Sequence, residues 1–253
     1  MVSRKKLASV IDLSAFGPHV SAEEVKGKCV KAKKLGFAAV VVKPSHVKIA
    51  AKALKGSKTK PCAVIGFPFG ADSPSKKLAE ARQAFRDGAK ELDVMMNVRL
   101  FKRGFTDFVK KEIAAIVKVA KKKRVVVKVI IESNLLTIAQ KISAAKLVKA
   151  AGADYIKTGT GLFEGVEPND VRLIRRIVGK KVGVKASGGV RSLGQVFSLL
   201  RAGANRIGTS YGLILFEEEK PEREEKAGSA ERVERKGFEK KRALDELVET
   251  LRA

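Results

Sequence analysis

A junction that occurs four times along the chain constrains its fold more than any other feature. In each copy a basic amphipathic stretch meets a glycine and then a short apolar run, and the copies read KKLGFAAVVV, FRDGAKELDV, VKAAGADYIKT and LLRAGANRIGT. The four glycines fit the left-handed residue that closes a helix, and each following run has the length and composition of a strand. The sequence therefore predicts four helix-to-strand turns, at Gly36, Gly88, Gly152 and Gly203.

Eight apolar runs of strand length alternate with seven stretches of helical spacing. The runs cover residues 9–13, 38–42, 63–67, 91–94, 125–131, 155–158, 182–185 and 206–208. The helical stretches cover residues 21–35, 45–54, 75–87, 107–121, 137–150, 168–178 and 192–201. Because strands that alternate with helices and are apolar on both faces form covered parallel sheets, we predict an α/β fold, a closed (β/α)₈ TIM barrel. An open doubly wound sheet is the alternative, but no GxGxxG follows the first strand and GxxxxGK[ST] is missing.

The length of 253 residues suits one barrel with a small appendage, because such barrels often use about 250 residues as a single domain. We assign residues 1–216 to the barrel. From residue 217 to residue 253 the composition turns to Glu, Lys and Arg, which predicts a charged linker and a C-terminal helix. A solvated tail is the alternative for this segment. The sequence has no membrane-length apolar run and no secretory signal, so we expect a cytoplasmic protein without membrane partners.

The net charge of +26, with a pI of about 10.2, raises the question of a nucleic-acid partner. The same charge can attract a phosphorylated metabolite. Aromatic residues make up only 6% of the chain and Trp is missing, which leaves few platforms for stacking bases. We therefore expect nucleic-acid binding only as a side effect of charge. Two cysteines and two histidines without ligand spacing exclude a Cys/His zinc cluster.

Four of the charged residues embedded in the apolar strand runs stand out: Asp93, Lys128, Lys157 and Lys185. Lys157 ends the sixth predicted strand and Lys185 the seventh, and neighbouring strands lie about 4.8 Å apart, so both amines can reach one barrel mouth. Like charge and desolvation then lower the pKa of one lysine toward neutrality, which makes it a nucleophile toward carbonyls. A Schiff base formed in this way allows a neighbouring carbon–carbon bond to break, and Asp93 can shuttle the proton directly or through a water.

Glycine-rich turns follow the sixth, seventh and eighth predicted strands, at residues 159–161, 187–189 and 208–210. Exposed backbone N–H groups at such turns bind phosphate, and the loops after strands seven and eight are its usual place in these barrels. The sequence therefore predicts a phosphorylated substrate.

These residues, together with the blocks around them, resemble the deoxyribose-phosphate aldolase family of class I aldolases, over about residues 11–211. The most specific blocks are VIGFPFGA at 64–71, ELDVMMNV at 91–98, VKVIIES at 127–133, AGADYIKTGTG at 151–161 and VGVKASGGVRS at 182–192. The resemblance implies reversible cleavage of 2-deoxy-D-ribose 5-phosphate to D-glyceraldehyde 3-phosphate and acetaldehyde. It also implies a homo-dimer or homo-tetramer, and neither a cofactor nor a metal, because the iminium is the electron sink.

The resemblance also assigns roles to residues. It implies that Lys157 forms the Schiff base, that Lys185 depresses the pKa of Lys157, and that Asp93 with an ordered water moves protons, assisted by Thr160. Eight further positions match substrate-binding residues of the family: Asp12 and Lys128 in the pocket, and Gly161, Gly188, Gly189, Arg191, Gly208 and Ser210 around the phosphate.

Four positions depart from the family pattern. Phe16 is bulky for the aldehyde pocket, Val41 replaces a common cysteine, Gly159 stands where serine is usual, and Tyr211 replaces a small residue. These departures leave two alternatives open: a Schiff-base aldolase that acts on another phosphorylated sugar or ketose, and a nucleic-acid-binding barrel.

Overall fold

Eight parallel strands close into a barrel in the computed structural model, which describes residues 3–17 and 19–217. Each strand pairs with the next one in the chain and the eighth pairs with the first, so the sheet has no edge. The strands are β1 (Ile11–Ser14), β2 (Ala39–Val42), β3 (Lys60–Ile65), β4 (Glu91–Met95), β5 (Val126–Ile130), β6 (Tyr155–Lys157), β7 (Gly183–Ser187) and β8 (Arg206–Thr209). The predicted (β/α)₈ barrel is confirmed. Beyond Glu217, the predicted linker and C-terminal helix at 217–253 lie outside the described residues.

Helices connect the strands along the described part of the chain. They are α1 (Arg4–Ala8), α2 (Ala22–Leu35), α3 (Val47–Ala53), α4 (Pro74–Arg86), α5 (Val98–Lys102), α6 (Thr106–Lys122), α7 (Ile138–Ala150), α8 (Pro168–Val178), α9 (Leu193–Arg201) and α10 (Gly212–Glu217). The sequence did not predict α1, α5 and α10, since five or six residues are too few to show helical periodicity. None of the described helices is long and apolar enough to cross a membrane.

Short polar signals set the helix ends. Three capping boxes begin α2, α7 and α9, where Ser21, Thr137 and Ser192 each accept a hydrogen bond from the backbone three residues later. At the other ends, all four predicted helix-closing glycines have a positive φ, of 76° at Gly36, 99° at Gly88, 81° at Gly152 and 108° at Gly203. The repeated helix-to-strand turn is therefore confirmed.

Several predicted bounds are wrong. The first strand begins at Ile11 and not at residue 9, because Ser9 still has helical backbone at the end of α1. The third strand covers Lys60–Ile65 and not 63–67, because the chain turns at Gly66 with a φ of 63°. The helix predicted from residue 45 begins at Val47, and a 3₁₀ turn over Pro44–His46 precedes it.

The strands place two kinds of side chain on their two faces, because successive residues point to opposite sides. In β2, Val40 and Val42 belong to the large apolar core, whereas Ala39 and Val41 belong to a small separate cluster. In β4, Leu92 and Val94 belong to the large core. The alternate residues of several strands are charged and buried: Asp12, Glu91, Asp93, Lys128, Lys157 and Lys185. The barrel therefore combines an apolar outer layer with a strongly charged interior.

Candidate active site

Strand register brings the predicted lysines to one level of the barrel. Lys157 is the last residue of β6 and is paired with Lys185 of β7, while Asp93 of β4 is paired with Lys128 of β5. The prediction that Lys185 ends its strand is wrong, because β7 continues to Ser187. The two lysines are nevertheless neighbours, since the strands of a barrel are staggered against one another.

The amines of Lys157 and Lys185 share one carboxylate oxygen. Lys157 Nζ lies 2.9 Å from Asp93 Oδ2, and Lys185 Nζ lies 2.7 Å from the same atom. Lys157 exposes 2% of its surface and Lys185 exposes 1%. The structure therefore brings together the three residues that the sequence proposed as the chemical centre.

The two lysines differ in their tendency to hold a proton. Burial lowers the pKa of Lys157, and the ammonium of Lys185 adds to this effect, although Asp93 opposes both. Burial also acts to lower the pKa of Lys185, but the carboxylates of Asp12 and Asp93 outweigh it and raise that pKa. Lys157 is therefore the amine that more readily becomes neutral, while Lys185 remains a cation beside it.

Asp93 is held as a carboxylate. Its Oδ1 atom accepts a hydrogen bond from Lys128 Nζ at 2.9 Å and one from the thiol of Cys62 at 3.3 Å. Burial would raise the pKa of Asp93, but three neighbouring ammonium groups lower it well below its usual value. Burial raises the pKa of the Cys62 thiol, so Cys62 stays protonated and is a donor here.

Asp12 and Lys128 lie among these charges, fully buried, and not at an open pocket wall. Asp12 Oδ2 lies 2.7 Å from Lys185 Nζ, and Lys128 Nζ lies 2.6 Å from Glu91 Oε2. Burial opposes both charges, yet the surrounding lysines and arginine lower the pKa of Asp12, and the surrounding acidic groups raise that of Lys128. Both residues therefore remain charged and hold the amine of Lys185 and the carboxylate of Asp93 in place.

The turn after β6 is fixed by the buried carboxylate of Glu132, which was not predicted from the sequence. The backbone N–H of Thr160 donates to both oxygens of Glu132, at 3.0 and 3.1 Å. Glu132 has a φ of 48°, a left-handed conformation that is rare for a side chain of this size. Burial raises its pKa, against the hydrogen bonds from Thr160. The Thr160 hydroxyl accepts a hydrogen bond from the N–H of Leu162 at 3.1 Å.

The predicted phosphate turns meet one another. A Cβ atom on Gly161 would lie 3.2 Å from the Cα atom of Gly188, so the turns after β6 and β7 are in contact. A cavity of about 200 Å³ borders Gly188 and Gly189. Ser210 and Arg191 are exposed, and the Arg191 guanidinium lies over the ring of Tyr211, 5.3 Å from its centroid.

Gly208 lies against the Lys185 side chain, unlike Gly161, Gly188 and Gly189, which lie where the turns meet. A Cβ atom at this position would lie 2.9 Å from Lys185 Cε and 2.9 Å from Ser187 Oγ. The lack of a side chain at Gly208 therefore makes room for the Lys185 side chain where it crosses to Asp93.

An apolar wall stands on the β1–β3 side of the site. Phe16 and Phe67 pack edge to face, with ring centroids 5.1 Å apart, against a buried cluster that includes Val41, Cys62 and Val64. Two of the departures from the family pattern, Phe16 and Val41, thus lie in the same wall. Since Cys62 also donates to Asp93, the wall adjoins the lysine pair.

Two further charged residues of the site, Glu91 and Arg206, were not predicted from the sequence. Glu91 contacts Lys128, and Arg206 contacts Asp12. Glu91 lies two residues before Asp93, which places both on one face of β4. Arg206 lies two residues before Gly208 on β8 in the same way. The period of two in strands was the signal that could have found them, and Glu132 had no comparable signal.

Two buried lysine amines on one carboxylate, inside a (β/α)₈ barrel, are the arrangement that the predicted Schiff-base chemistry needs, and the comparisons place the chain among the aldolases, a class of lyase. Residues 7–218 match the family described as DeoC/LacD family aldolase. The match spans most of the chain, and the chain therefore belongs to this aldolase family.

Several known proteins that are similar to this chain are named deoxyribose-phosphate aldolase. A deoxyribose-phosphate aldolase of Caldanaerobacter subterraneus subsp. tengcongensis is 43% identical over 218 residues, which cover 85% of this chain and 94% of that protein. A deoxyribose-phosphate aldolase of Thermococcus gammatolerans is 45% identical over 214 residues, which cover 83% of this chain and 95% of that protein. A solved structure, "Unique tetrameric structure of deoxyribose phosphate aldolase from Aeropyrum pernix", is 35% identical with a TM-score of 0.79, covering 85% of this chain and 91% of that one.

Proposed function

We propose that this chain is a class I aldolase that reversibly cleaves 2-deoxy-D-ribose 5-phosphate to D-glyceraldehyde 3-phosphate and acetaldehyde. The observation that carries the proposal is the pair of buried amines, Lys157 and Lys185, on one oxygen of Asp93. The names of the relatives support the choice of substrate.

In the proposed reaction the neutral amine of Lys157 attacks the aldehyde carbon of the open-chain sugar. Loss of water gives an iminium, which withdraws electrons from the bond between the α and β carbons. Asp93, through a water, takes the proton of the β hydroxyl as this bond breaks, and the β carbon becomes the aldehyde of glyceraldehyde 3-phosphate. The proton returns from Asp93 through the water to the α carbon of the remaining enamine, and hydrolysis of the resulting iminium releases acetaldehyde and restores Lys157.

Lys185 and the glycine turns have supporting roles in the proposal. The Lys185 ammonium stays charged beside Lys157 and keeps the pKa of Lys157 low. Backbone N–H groups at Gly161, Gly188 and Gly189 would hold the phosphate, with Ser210 and Arg191 at the exposed edge of the same region. Thr160 would take part through the turn that Glu132 fixes.

The test is an aldolase assay of the purified full chain with 2-deoxyribose 5-phosphate and a panel of phosphorylated aldehydes and ketoses. We expect preference for deoxyribose 5-phosphate, and a loss of turnover of at least ~10⁴-fold in Lys157→Met, because the covalent step is removed. Lys149→Met, at an exposed lysine, is the matched control and should retain wild-type activity.

Full turnover by Lys157→Met would overturn the mechanism. Preference for a ketose bisphosphate would favour the alternative substrate class, for which the phenylalanine wall at Phe16 and Phe67 provides the structural reason.

We also propose that the chain forms a homo-oligomer, since the similar deoxyribose phosphate aldolase from Aeropyrum pernix has a tetrameric structure. Light scattering of the full chain should then give a mass of at least two chains, that is, an integer multiple of 27.3 kDa greater than one. A mass of one chain at micromolar concentration would contradict this proposal.

A further inference from the structure

An ion pair lies directly below the charged groups of the proposed active site. Arg206 Nη2 lies 2.9 Å from Glu91 Oε1, and the side chains are 16% and 3% exposed. Arg206 starts β8 and is paired in register with Lys185, while Glu91 starts β4. Glu91 lies two residues before Asp93 and Arg206 two residues before Gly208, so both side chains face the barrel interior, and we call this pair the floor of the site.

Two unbroken routes of contacts connect this floor with Asp93. On one route, Arg206 Nη1 contacts Asp12 Oδ1, and Asp12 Oδ2 lies 2.7 Å from Lys185 Nζ. The same Lys185 amine lies 2.7 Å from Asp93 Oδ2. On the other, Glu91 Oε2 lies 2.6 Å from Lys128 Nζ, which donates to Asp93 Oδ1 at 2.9 Å. Both routes end on the carboxylate that holds the amine of Lys157.

We propose that Glu91 and Arg206 are positioning residues of the aldolase reaction, which act through Lys128 and Asp12 to fix the place and the charge balance of the lysine pair. The inference rests on the proposed function. Neither residue contacts the amine of Lys157, so neither is a catalytic residue.

The positive and negative charges of this buried network are nearly equal in number. It contains four cations, Lys128, Lys157, Lys185 and Arg206, and three carboxylates, Asp12, Glu91 and Asp93. Buried charges are poorly screened, so each one acts on the others. Loss of Arg206 leaves three cations against three carboxylates, whereas loss of Glu91 leaves four against two.

Opposite changes in charge must move the protonation of Lys157 in opposite directions. The ionisable groups that act on Lys157 are Asp93, Lys185, Cys62 and Glu132, and those around Arg206 are Asp12, Glu91 and Tyr155. Removing the positive charge of Arg206 makes the site more negative and raises the pKa of Lys157. Removing the negative charge of Glu91 lowers that pKa.

The experiment measures kcat/KM against pH for the full chain and four variants: Arg206→Met, Glu91→Gln, the double variant and Arg206→Lys. Neutral Lys157 is the reactive form, so activity rises as the pH passes upward through its pKa. We expect this acid limb to move up by about 0.5 pH unit or more in Arg206→Met and down by a similar amount in Glu91→Gln. In the double variant the limb should return toward the wild-type position, and Arg206→Lys, which keeps the charge, should show a smaller shift than Arg206→Met.

A matched control separates positioning from loss of stability. Glu112 forms another buried ion pair, 2.7 Å from Lys77 Nζ, outside the charged network. Glu112→Gln should lower the unfolding temperature without moving the acid limb. Because Arg206→Met removes one ion-pair partner from each of two buried carboxylates, Asp12 and Glu91, thermal unfolding of every variant is recorded first. If that variant is unfolded, Glu91→Gln and Arg206→Lys provide the test.

The outcomes distinguish this inference from the proposed function. If the wild-type chain has no aldolase activity and borohydride traps no imine, the proposed function has failed. If the wild type is active but the acid limbs of folded Glu91 and Arg206 variants stay in place, or move in the same direction, the positioning role of this pair is wrong.

Discussion

Two lysine side chains converge on one carboxylate oxygen, and their environments make them unequal. Asp12 contacts only Lys185 of the pair, which raises the pKa of Lys185 while burial and the neighbouring ammonium lower that of Lys157. The sequence predicted that Lys157, Lys185 and Asp93 come together, because each interrupts an apolar strand run. It did not predict Glu91 or Arg206, since a charge at the edge of a short strand is ordinarily solvated. The catalytic roles of these residues remain predictions.

The role of Glu132 could not be predicted from the sequence, for a different reason. Its importance depends on a left-handed backbone and on a contact with Thr160, and neither is visible in the sequence IIES. Gly159 explains part of this arrangement, because a Cβ atom there would lie 2.5 Å from Glu132 Oε1. The departure from serine at this position therefore makes room for the carboxylate that holds the turn.

This contact predicts the effect of Gly159→Ser. The serine side chain should displace Glu132 and break its hydrogen bonds to the Thr160 N–H, and hydrogen bonds to a charged group contribute about 1.5–3 kcal/mol. We expect kcat/KM for deoxyribose 5-phosphate to fall about tenfold, chiefly through KM, because the turn that would bind phosphate shifts. Steady-state kinetics measure this change. Gly27→Ala, on a helix with no atom near the added methyl, is the control, and an unchanged KM in Gly159→Ser would contradict the explanation.

At the scale of elements, helical spacing and the closing glycines predicted most helices, and the errors have local causes. The third strand, predicted as the apolar run 63–67, begins three residues earlier, although Lys and Pro are poor strand formers. In the barrel, the Lys60 N–H donates to the carbonyl of Ala38, and the Pro61 carbonyl accepts from the Lys90 N–H. The pairing of both neighbouring strands therefore outweighs the missing N–H of Pro61.

The carboxyl end of β4 is fixed by two helices that the sequence predicted separately. Lys77 of α4 is fully buried, and its Nζ atom lies 3.0 Å from the carbonyl oxygen of Met95 and 2.7 Å from Glu112 of α6. No sequence pattern paired these two residues, because they are 35 positions apart. The pair connects α4, α6 and the end of the strand that holds Asp93.

We expect Lys77→Met to lower the free energy of unfolding by about 3–5 kcal/mol, because Glu112 is left buried without its partner. Urea denaturation measures this loss. The double variant Lys77→Met/Glu112→Leu removes both charges and should recover most of it. A loss below about 1 kcal/mol in the single variant would show that the pair contributes little.

At the scale of the whole molecule, eight alternating units predicted a closed barrel, and the structure has one. The net charge of +26 comes almost entirely from residues outside the site. Four cations and three carboxylates form the interior network, so nearly all of the excess lies outside it. A positive exterior attracts a phosphorylated substrate, and it does not by itself indicate a nucleic-acid partner.

Borohydride trapping shows whether Lys157 forms a Schiff base with the substrate. The full chain is incubated with 2-deoxyribose 5-phosphate and a chelator, reduced with borohydride, and digested for peptide mass mapping. We predict a reduced adduct on the peptide that contains Lys157, and none in Lys157→Met. An adduct on another lysine, or no adduct in folded protein that cleaves the substrate, would contradict the account.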